Sequence, residues 1–516
     1  MIFITSGQYL KIEIQNEIGA LPPCFSFLQN KRLYEFQVEL LRNSWPLEKI
    51  ILTLPKDFEI PQYDKNRLEE LEIEIYRGKD NLDLGKGIYD LIKRFNPNSM
   101  KILHGDTYFE YLNTKEDLII ISKPEEIAEW HSLSDNTNYE SNLVWAGFFN
   151  FSKPKILLKS LKSSKFIFHK SVKKYSEAIN VSEKKIIPWY DFGHIEGFHK
   201  SREKYTTERS FNDLKVDNYE VTKSSRDKEK ISREFFWYLN LPSHLKKFVP
   251  NVYGLENLKS KSSYKMTYIN GFSLSELMLF SKLNDAKWDN IFYEIKSFLK
   301  LQKHRLPHNK KNLADRNFKS FFSKKNKKRI TALKKMSFID FNKKLSFNGR
   351  KVGFIEDIVK DLDSFIEKYK PIPAFLHGDL CLSNIIYRAR GNTISVIDPR
   401  GTFKGKDSLI GDQRYDLAKL AHSIFWNYDR VISDEIKYYR NNNSFEENNL
   451  IKNQSQEYLK KIFISDKETS IMMRADVQAI TSMLFLTMIP LHQDSKERQN
   501  SFFGIGLKIY QNLVKN

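Results

Sequence analysis

The sequence predicts two domains: an α/β domain, then an α+β domain made of a small mixed lobe and a large helical lobe. Three observations carry this reading. The chain has 516 residues, more than one ordinary hydrophobic core organises. Through about residue 200, short β-like runs alternate with helical ones, the order that builds a largely parallel sheet covered by helices. Beyond about residue 210 the order changes to a few strands around one helix, and then to mainly helical chain.

The alternation in the first part runs through residues 1–5, 33–42, 49–54, 71–76, 87–95, 100–103 and 118–122. Residues 200–210 are charged and lack apolar periodicity, so they read as a linker between domains at 1–203 and 204–516. In the second part, 218–223 reads as a strand, 228–239 as a helix and 263–268 as a strand running into Asn270-Gly271. This small lobe covers about 207–270. From 271 onward the chain is mainly helical, broken by β-like pieces at 384–387 and 393–397, and 441–456 reads as a mobile insertion. No internal repeat is apparent.

Composition narrows the classes. Residues 41% hydrophobic, with 38 Phe and 25 Tyr, supply real interiors and exclude a disordered chain. The 84 Lys+Arg against 64 Asp+Glu give a formal charge of +20. Most of that excess is scattered lysine, the mark of a solvated face, and the densest run, Lys324, Lys325, Lys327, Lys328 and Arg329, reads as an exposed helix or loop. With no compact arginine-rich or aromatic-interleaved tract, a nucleic-acid partner is not expected. Two cysteines, Cys24 and Cys381, exclude a disulfide framework and a cysteine-rich zinc module. Residues 1–5 read as a first strand rather than a signal peptide. The apolar run 479–491 is shorter than the roughly 18–20 residues a spanning helix needs, and reads as a core helix stopped near Pro490. A cytoplasmic protein without a transmembrane segment is expected.

The strongest chemical signal is Phe375-Leu376-His377-Gly378-Asp379-Leu380, then Asn384, then Val396-Ile397-Asp398. Phosphoryl transfer from ATP needs a carboxylate that orients and deprotonates an acceptor hydroxyl, and oxygen ligands that hold Mg²⁺ against the phosphates. Asp379 in a loop, Asn384 five residues on and Asp398 after the next hairpin supply that set from one short stretch. The string H-G-D-x-x-x-x-N followed by a hydrophobic-Ile-Asp resembles the aminoglycoside phosphotransferase and choline/ethanolamine kinase superfamily, whose fold is protein-kinase-like. Gly411-Asp412-Gln413-Arg414-Tyr415-Asp416-Leu417-Ala418 looks like the helix start that follows this site there, and the match covers roughly 207–516. The resemblance implies that Asp379 is the catalytic base and that Asn384 and Asp398 are magnesium ligands. Asp412 and Asp416 read as residues that cap and anchor a helix.

By the same resemblance the small lobe supplies a lysine for the nucleotide phosphates and a helix glutamate that orients it. Lys223, ending Val221-Thr222-Lys223, and Glu234, before Phe235-Phe236-Trp237-Tyr238, take these roles. Lys265-Met266-Thr267-Tyr268-Ile269 has the form of the hinge strand against which adenine lies, with Met266 and Tyr268 as contacts. The phosphate-covering loop, near Ser210-Phe211-Asn212-Asp213, has no glycine.

In the first domain, Leu103-His104-Gly105-Asp106-Thr107 follows a strand, and Trp189-Tyr190-Asp191-Phe192-Gly193 comes much later. Two carboxylates at strand ends can hold Mg²⁺ over a nucleoside triphosphate. The pattern resembles sugar-phosphate nucleotidyltransferases, with a GT-A-like α/β fold in which the aspartates, here Asp106 and Asp191, are metal ligands. Leu33-Tyr34-Glu35-Phe36-Gln37 resembles that family's first helix and Trp145-Ala146-Gly147-Phe148-Phe149 its product-side strand. The family's glycine-rich loop with Arg, and its later Lys, are replaced by Ser6-Gly7-Gln8-Tyr9 and Leu21-Pro22-Pro23-Cys24. His104, between a strand and a glycine, reads as a core or loop residue, and so does His194.

Together the resemblances imply a GT-A-like nucleotidyltransferase domain joined to a protein-kinase-like, aminoglycoside phosphotransferase-like domain, similar to bacterial capsule or lipopolysaccharide biosynthesis proteins. The expected function is ATP- and Mg²⁺-dependent phosphorylation of a hydroxyl on a sugar or a choline/ethanolamine-like alcohol. A second nucleotide, CTP or UTP, would serve the first domain, and other enzymes of surface glycan synthesis would be partners. The alternative is a non-catalytic pseudokinase and pseudo-transferase serving as a scaffold in a glycan pathway.

Overall fold

The computed structural model describes residues 1–78, 83–125, 130–132, 143–209, 214–217, 219–306, 311–400, 409–448 and 451–515. The chain divides into two compact units: Met1–Arg209 with Phe280–Lys282, and Ser210–Leu279 with Leu283–Asn516. The first is α/β and the second is a two-lobed α+β unit.

In the first unit, apolar β-branched runs form a seven-stranded sheet. Its order is Ser182–Lys185, Leu118–Ser122, Val144–Phe151, Met100–His104, Ile2–Thr5, Ile50–Leu54 and Glu74–Arg77. Ile2–Thr5 pairs in parallel with both Ile50–Leu54 and Met100–His104, while Val144–Phe151 runs antiparallel to its two neighbours. Every residue of Val144–Phe151 is buried, as a central strand covered on both faces requires. Phe3, Ile51, Ile102 and Phe149 pack with Leu157 and Tyr175 into one core. The short strand Trp189–Asp191 pairs with Thr107–Phe109 and so carries Asp191 back beside the Met100–His104 strand end.

The segment read as a linker is helical through Arg209, as the second half of helix Ile195–Arg209. A sparse stripe of Phe198, Ser201 and Tyr205, all buried, docks it; the charged residues between them hide that stripe in the sequence.

In the second unit, the small lobe is a four-stranded antiparallel sheet. Its order is Leu214–Asp217, Glu220–Ser225, Ser262–Thr267 and Val252–Asn257, with helix Lys228–Asn240 packed on it. The helical lobe centres on Ala475–Thr487, buried along almost its whole length and packed against Lys496–Lys515, Ile355–Glu367 and Gln413–Ile424. That helix stops before a 3₁₀ turn at Ile489–Leu491, where Pro490 cannot continue it. The segment expected to be a mobile insertion, 441–456, begins inside a β-hairpin, Tyr438–Asn441 with Ser444–Glu447, pinned by buried Tyr438 and Phe445. Among the described residues, no helix is long and apolar enough to cross a membrane.

Candidate active site

The short strand Pro373–Phe375 pairs with Ile410–Asp412 and delivers the chain into His377-Gly378-Asp379. Helix Gln413–Ile424 then fixes that turn. Asp412 caps its first turn by accepting the Arg414 N–H at 3.1 Å. Asp416, expected to serve the helix, instead accepts the backbone N–H groups of His377 at 2.9 Å and Gly378 at 2.7 Å. Burial pushes the Asp416 carboxyl up to about 6. Gly378 has φ +79°, and a Cβ there would sit 2.8 Å from Arg400 Cβ, so both backbone and space require glycine. Fully buried His377 accepts the Asp379 N–H at Nδ1 and donates from Nε2 to Ile397 O at 3.0 Å. Burial lowers its pKa to about 4, so the neutral ring ties the Asp379 loop to the residue before Asp398.

The hairpin Ile385–Arg388 with Thr393–Val396 brings the remaining two groups in. The Ile397 N–H donates to Asn384 O at 3.0 Å, and Asn384 Nδ2 donates to Asp379 O at 2.9 Å. Asp398 adopts the left-handed region at φ +56°, unusual for a residue with a side chain, and its N–H donates to Tyr238 Oη at 3.1 Å. Asp379, Asn384 and Asp398 are thereby linked through backbone and side-chain bonds.

The small lobe reaches the same place. Lys223 stands opposite Tyr264 in the antiparallel register, so Val221, Lys223, Tyr264 and Met266 share one face of the sheet. Buried Lys223 Nζ lies 2.7 Å from Glu234 Oε2 and 2.8 Å from Asp398 Oδ1. Burial opposes that ammonium, but the two carboxylates outweigh it and hold the Lys223 pKa above its ordinary value. Tyr264 Oη donates to Glu234 Oε2 at 3.1 Å. Met266 is buried further along that strand, and Tyr268 follows it with its N–H bonded to Tyr219 O. The expected phosphate-covering loop at 210–213 lies outside the described residues.

On the side of the cleft facing Asp379, Lys419 Nζ is 2.9 Å from Asp379 Oδ1, and Arg400 Nε is 3.9 Å from Oδ2. Burial alone would raise the Asp379 carboxyl; the two cations reverse this and hold it well below the ordinary carboxylate range. The basic run at 324–329 is not simply an exposed face. It opens helix Lys324–Lys335, on which Lys325 and Arg329 are half-buried while Lys324, Lys327 and Lys328 are exposed. Lys325 Nζ lies 3.4 Å from Tyr415 Oη and over the rings of Phe321 and Tyr415.

The donor set suits Mg²⁺. Asp398 Oδ1 holds Lys223, whereas Asp398 Oδ2 and Asn384 Oδ1 accept no hydrogen bond among the described residues. Two hard oxygen donors beside a phosphate site are what this ion takes from protein.

In the first unit, the carboxyl ends of the strands open into a cavity of about 1030 Å³ lined by Thr5, Ser6, Gly7, His104 and Asp106, among others. Asp106 and Asp191 flank Gly193, where a Cβ would lie 2.3 Å from Asp106 Oδ2. Asp191 already has both oxygens engaged, by the Gly193 N–H and His194 Nδ1, each at 2.9 Å. The lining includes Asp57, Asp83, Asp90 and Asp106 against Lys11 and Lys56. An acid-rich wall does not make a triphosphate cradle, so this pair does not fit a metal–triphosphate complex as it stands.

A model of the fructosamine kinase family matches residues 305–447, the span holding Lys325, Asp379, Asn384, Asp398 and Lys419. The helical lobe is similar to fructosamine kinases. Among solved structures, a thermostable mutant of an aminoglycoside phosphotransferase, in ternary complex with AMP-PNP and hygromycin B, is 10% identical. It covers 61% of this chain and 98% of its own, with a TM-score of 0.37. A nucleoside-diphosphate-sugar pyrophosphorylase from Vibrio cholerae RC9 is 11% identical, over 39% of this chain and 99% of its own, with a TM-score of 0.32. The inositol-1-phosphate CTP transferase from T. maritima is 12% identical over 40% and 94%, with a TM-score of 0.30. Among curated proteins, none matched. At these identities, residue roles rest on the geometry of this chain.

Sequence reasoning missed Tyr238, Tyr264, Arg400 and Lys419 as members of the site. Lys419 carried a usable signal, standing one helical turn after Asp416 and so on the same face as the residue that anchors the loop. Arg400 carried none.

Proposed function

We propose that the second unit transfers the γ-phosphoryl group of ATP to a hydroxyl of a small molecule. The observation that carries this is the connected set Glu234–Lys223–Asp398 with Asp379 and Asn384, drawn from both lobes onto one cleft. Lys223, held by Glu234, binds phosphate oxygens. Asp398 and Asn384 would hold Mg²⁺, which supplies charge neutralisation on the phosphates when bound. Asp379 accepts the hydrogen bond of the acceptor hydroxyl, aims its oxygen at the phosphorus and takes its proton as the new P–O bond forms and the bond from the γ-phosphorus to the bridging oxygen breaks, releasing ADP. Met266 on strand Ser262–Thr267 and Tyr268 just past its end would contact the adenine. A scaffold has no use for this complete set, which argues against the non-catalytic reading.

Coupling to nucleotidyl activation for surface polysaccharide synthesis rests on the joining of the two units alone, and the acidic cavity of the first unit weighs against it. The test is a mass-spectrometric screen of alcohols and sugars for ATP-dependent gain of a phosphoryl group, with Asp379→Asn as control. A product formed equally by both proteins would remove Asp379 from the reaction.

A further inference from the structure

Four basic side chains gather beside one carboxylate. Lys419 and Arg400 both pair with Asp379, the only acid either meets in an ion pair among the described residues. Lys325 reaches Tyr415, which stands one helical turn before Lys419, and Arg329 follows Lys325 by one turn on the same helix face. Neither Lys325 nor Arg329 is in an ion pair with an acid among the described residues.

The helix makes this placement specific. Phe322, Asn326 and Leu333 are buried and form the inward stripe of this stretch, and Lys325 and Arg329 stand half-buried along its edge. A π-turn at Lys319–Ser323 immediately precedes them and sets the phase in which they stand there. Two half-buried basic side chains, neither in an ion pair with an acid among the described residues, suit an anion facing them. The Lys325 ammonium is destabilised by burial and by Arg400, Arg329 and Lys419, which brings its pKa down to about 5; Asp379 is the acid that opposes them.

We infer that the acceptor carries its own anionic group, a phosphate or a carboxylate, held by Lys325 and Arg329 with Arg400 while its hydroxyl sits on Asp379. This rests on the phosphotransferase reading above. An amine-bearing acceptor would be repelled by Arg329 and Arg400, and a neutral one would leave Lys325 and Arg329 without an ion-pair partner in a partly desolvated wall. The competing use of the same side chains is to grip the γ-phosphate of ATP. Lys223, with Mg²⁺ that Asp398 and Asn384 would hold, would supply that grip.

The experiment uses the full chain and two readouts. First, inorganic phosphate is titrated calorimetrically into protein saturated with Mg·AMP-PNP, in wild type, Lys325→Met and Arg329→Met. Wild type should bind phosphate, and each variant at least about tenfold more weakly, with Mg·AMP-PNP affinity unchanged. Equal phosphate binding in all three, or a loss confined to Mg·AMP-PNP affinity, overturns the inference. Second, kcat/KM is compared across matched acceptors: glucose, glucosamine, glucose 6-phosphate and glucuronate. The anionic members should exceed the neutral and cationic ones by roughly 100-fold, the phosphate and carboxylate arms showing which anion is preferred. Preference for glucosamine or glucose contradicts it. If wild type fails to bind Mg·AMP-PNP, the phosphotransferase reading falls on that ground, and phosphate titration without nucleotide still decides whether the cationic wall binds an anion.

Discussion

Lys419 Nζ sits 2.9 Å from Asp379 Oδ1, so the carboxylate that would receive the acceptor proton is held ionised by a lysine on the helix that also anchors its loop. In Lys419→Met, burial is no longer opposed by its strongest partner, and the Asp379 pKa rises. The acid limb of the pH–kcat/KM profile should move to higher pH. An acid limb in the same place for both proteins would mean that Asp379 does not set it.

Buried Lys223 bonds both Glu234 and Asp398. Lys223→Met should leave buried Glu234 with Tyr264 and the outlying Lys230, 4.0 Å away, costing up to about 3–5 kcal/mol and lowering the thermal midpoint. Adding Glu234→Gln should restore most of the stability and none of the Mg·ATP affinity. Recovery of nucleotide binding in the double variant would place the phosphate grip elsewhere.

The Asp416 carboxyl titrates near 6 in the fold against an ordinary value of 3.8. Between about pH 4 and 6 the folded chain therefore keeps a proton that the unfolded chain has released. The stability this gives is full below pH 4 and is lost as pH rises through 6. Relative to Asp416→Asn, wild type should lose up to about 3 kcal/mol across that window. Parallel stability–pH curves for the two proteins would contradict the assignment.

Gly378→Ala places a methyl 2.8 Å from Arg400 Cβ at φ +79°. Activity should fall more than nucleotide affinity, since the residue it displaces is Asp379's partner rather than a phosphate ligand. Unchanged kcat, measured beside unchanged Mg·ATP affinity, would show that the loop tolerates the shift.

Asp379, Asn384 and Asp398 were legible in the sequence because one hairpin assembles them, so spacing alone encodes their proximity. Lys223 and Glu234 were legible from strand-then-helix order. The half-burial of Lys325 and Arg329 was not, because a lysine-rich helix reads as solvated and the π-turn that sets its phase leaves no pattern. The helix at Ile195–Arg209 was hidden for a related reason, its docking stripe being only Phe198, Ser201 and Tyr205 among charges. In the first unit the two aspartates were legible, but the sequence could not show that His194 and the Gly193 N–H occupy Asp191.

The most direct test is a calorimetric titration of Mg·ATP into full-length wild type, Asp379→Asn and Asp398→Ala. Asp398 keeps one carboxylate oxygen without a hydrogen bond among the described residues, whereas Asp379 would face the acceptor. Wild type and Asp379→Asn should bind alike, with phosphoryl transfer in Asp379→Asn down by on the order of 10²–10⁴. Asp398→Ala should lose at least about tenfold in affinity, and the loss should vanish when Mg²⁺ is withheld from both proteins. Equal Mg·ATP affinity in wild type and Asp398→Ala, or no binding by wild type, would contradict the account.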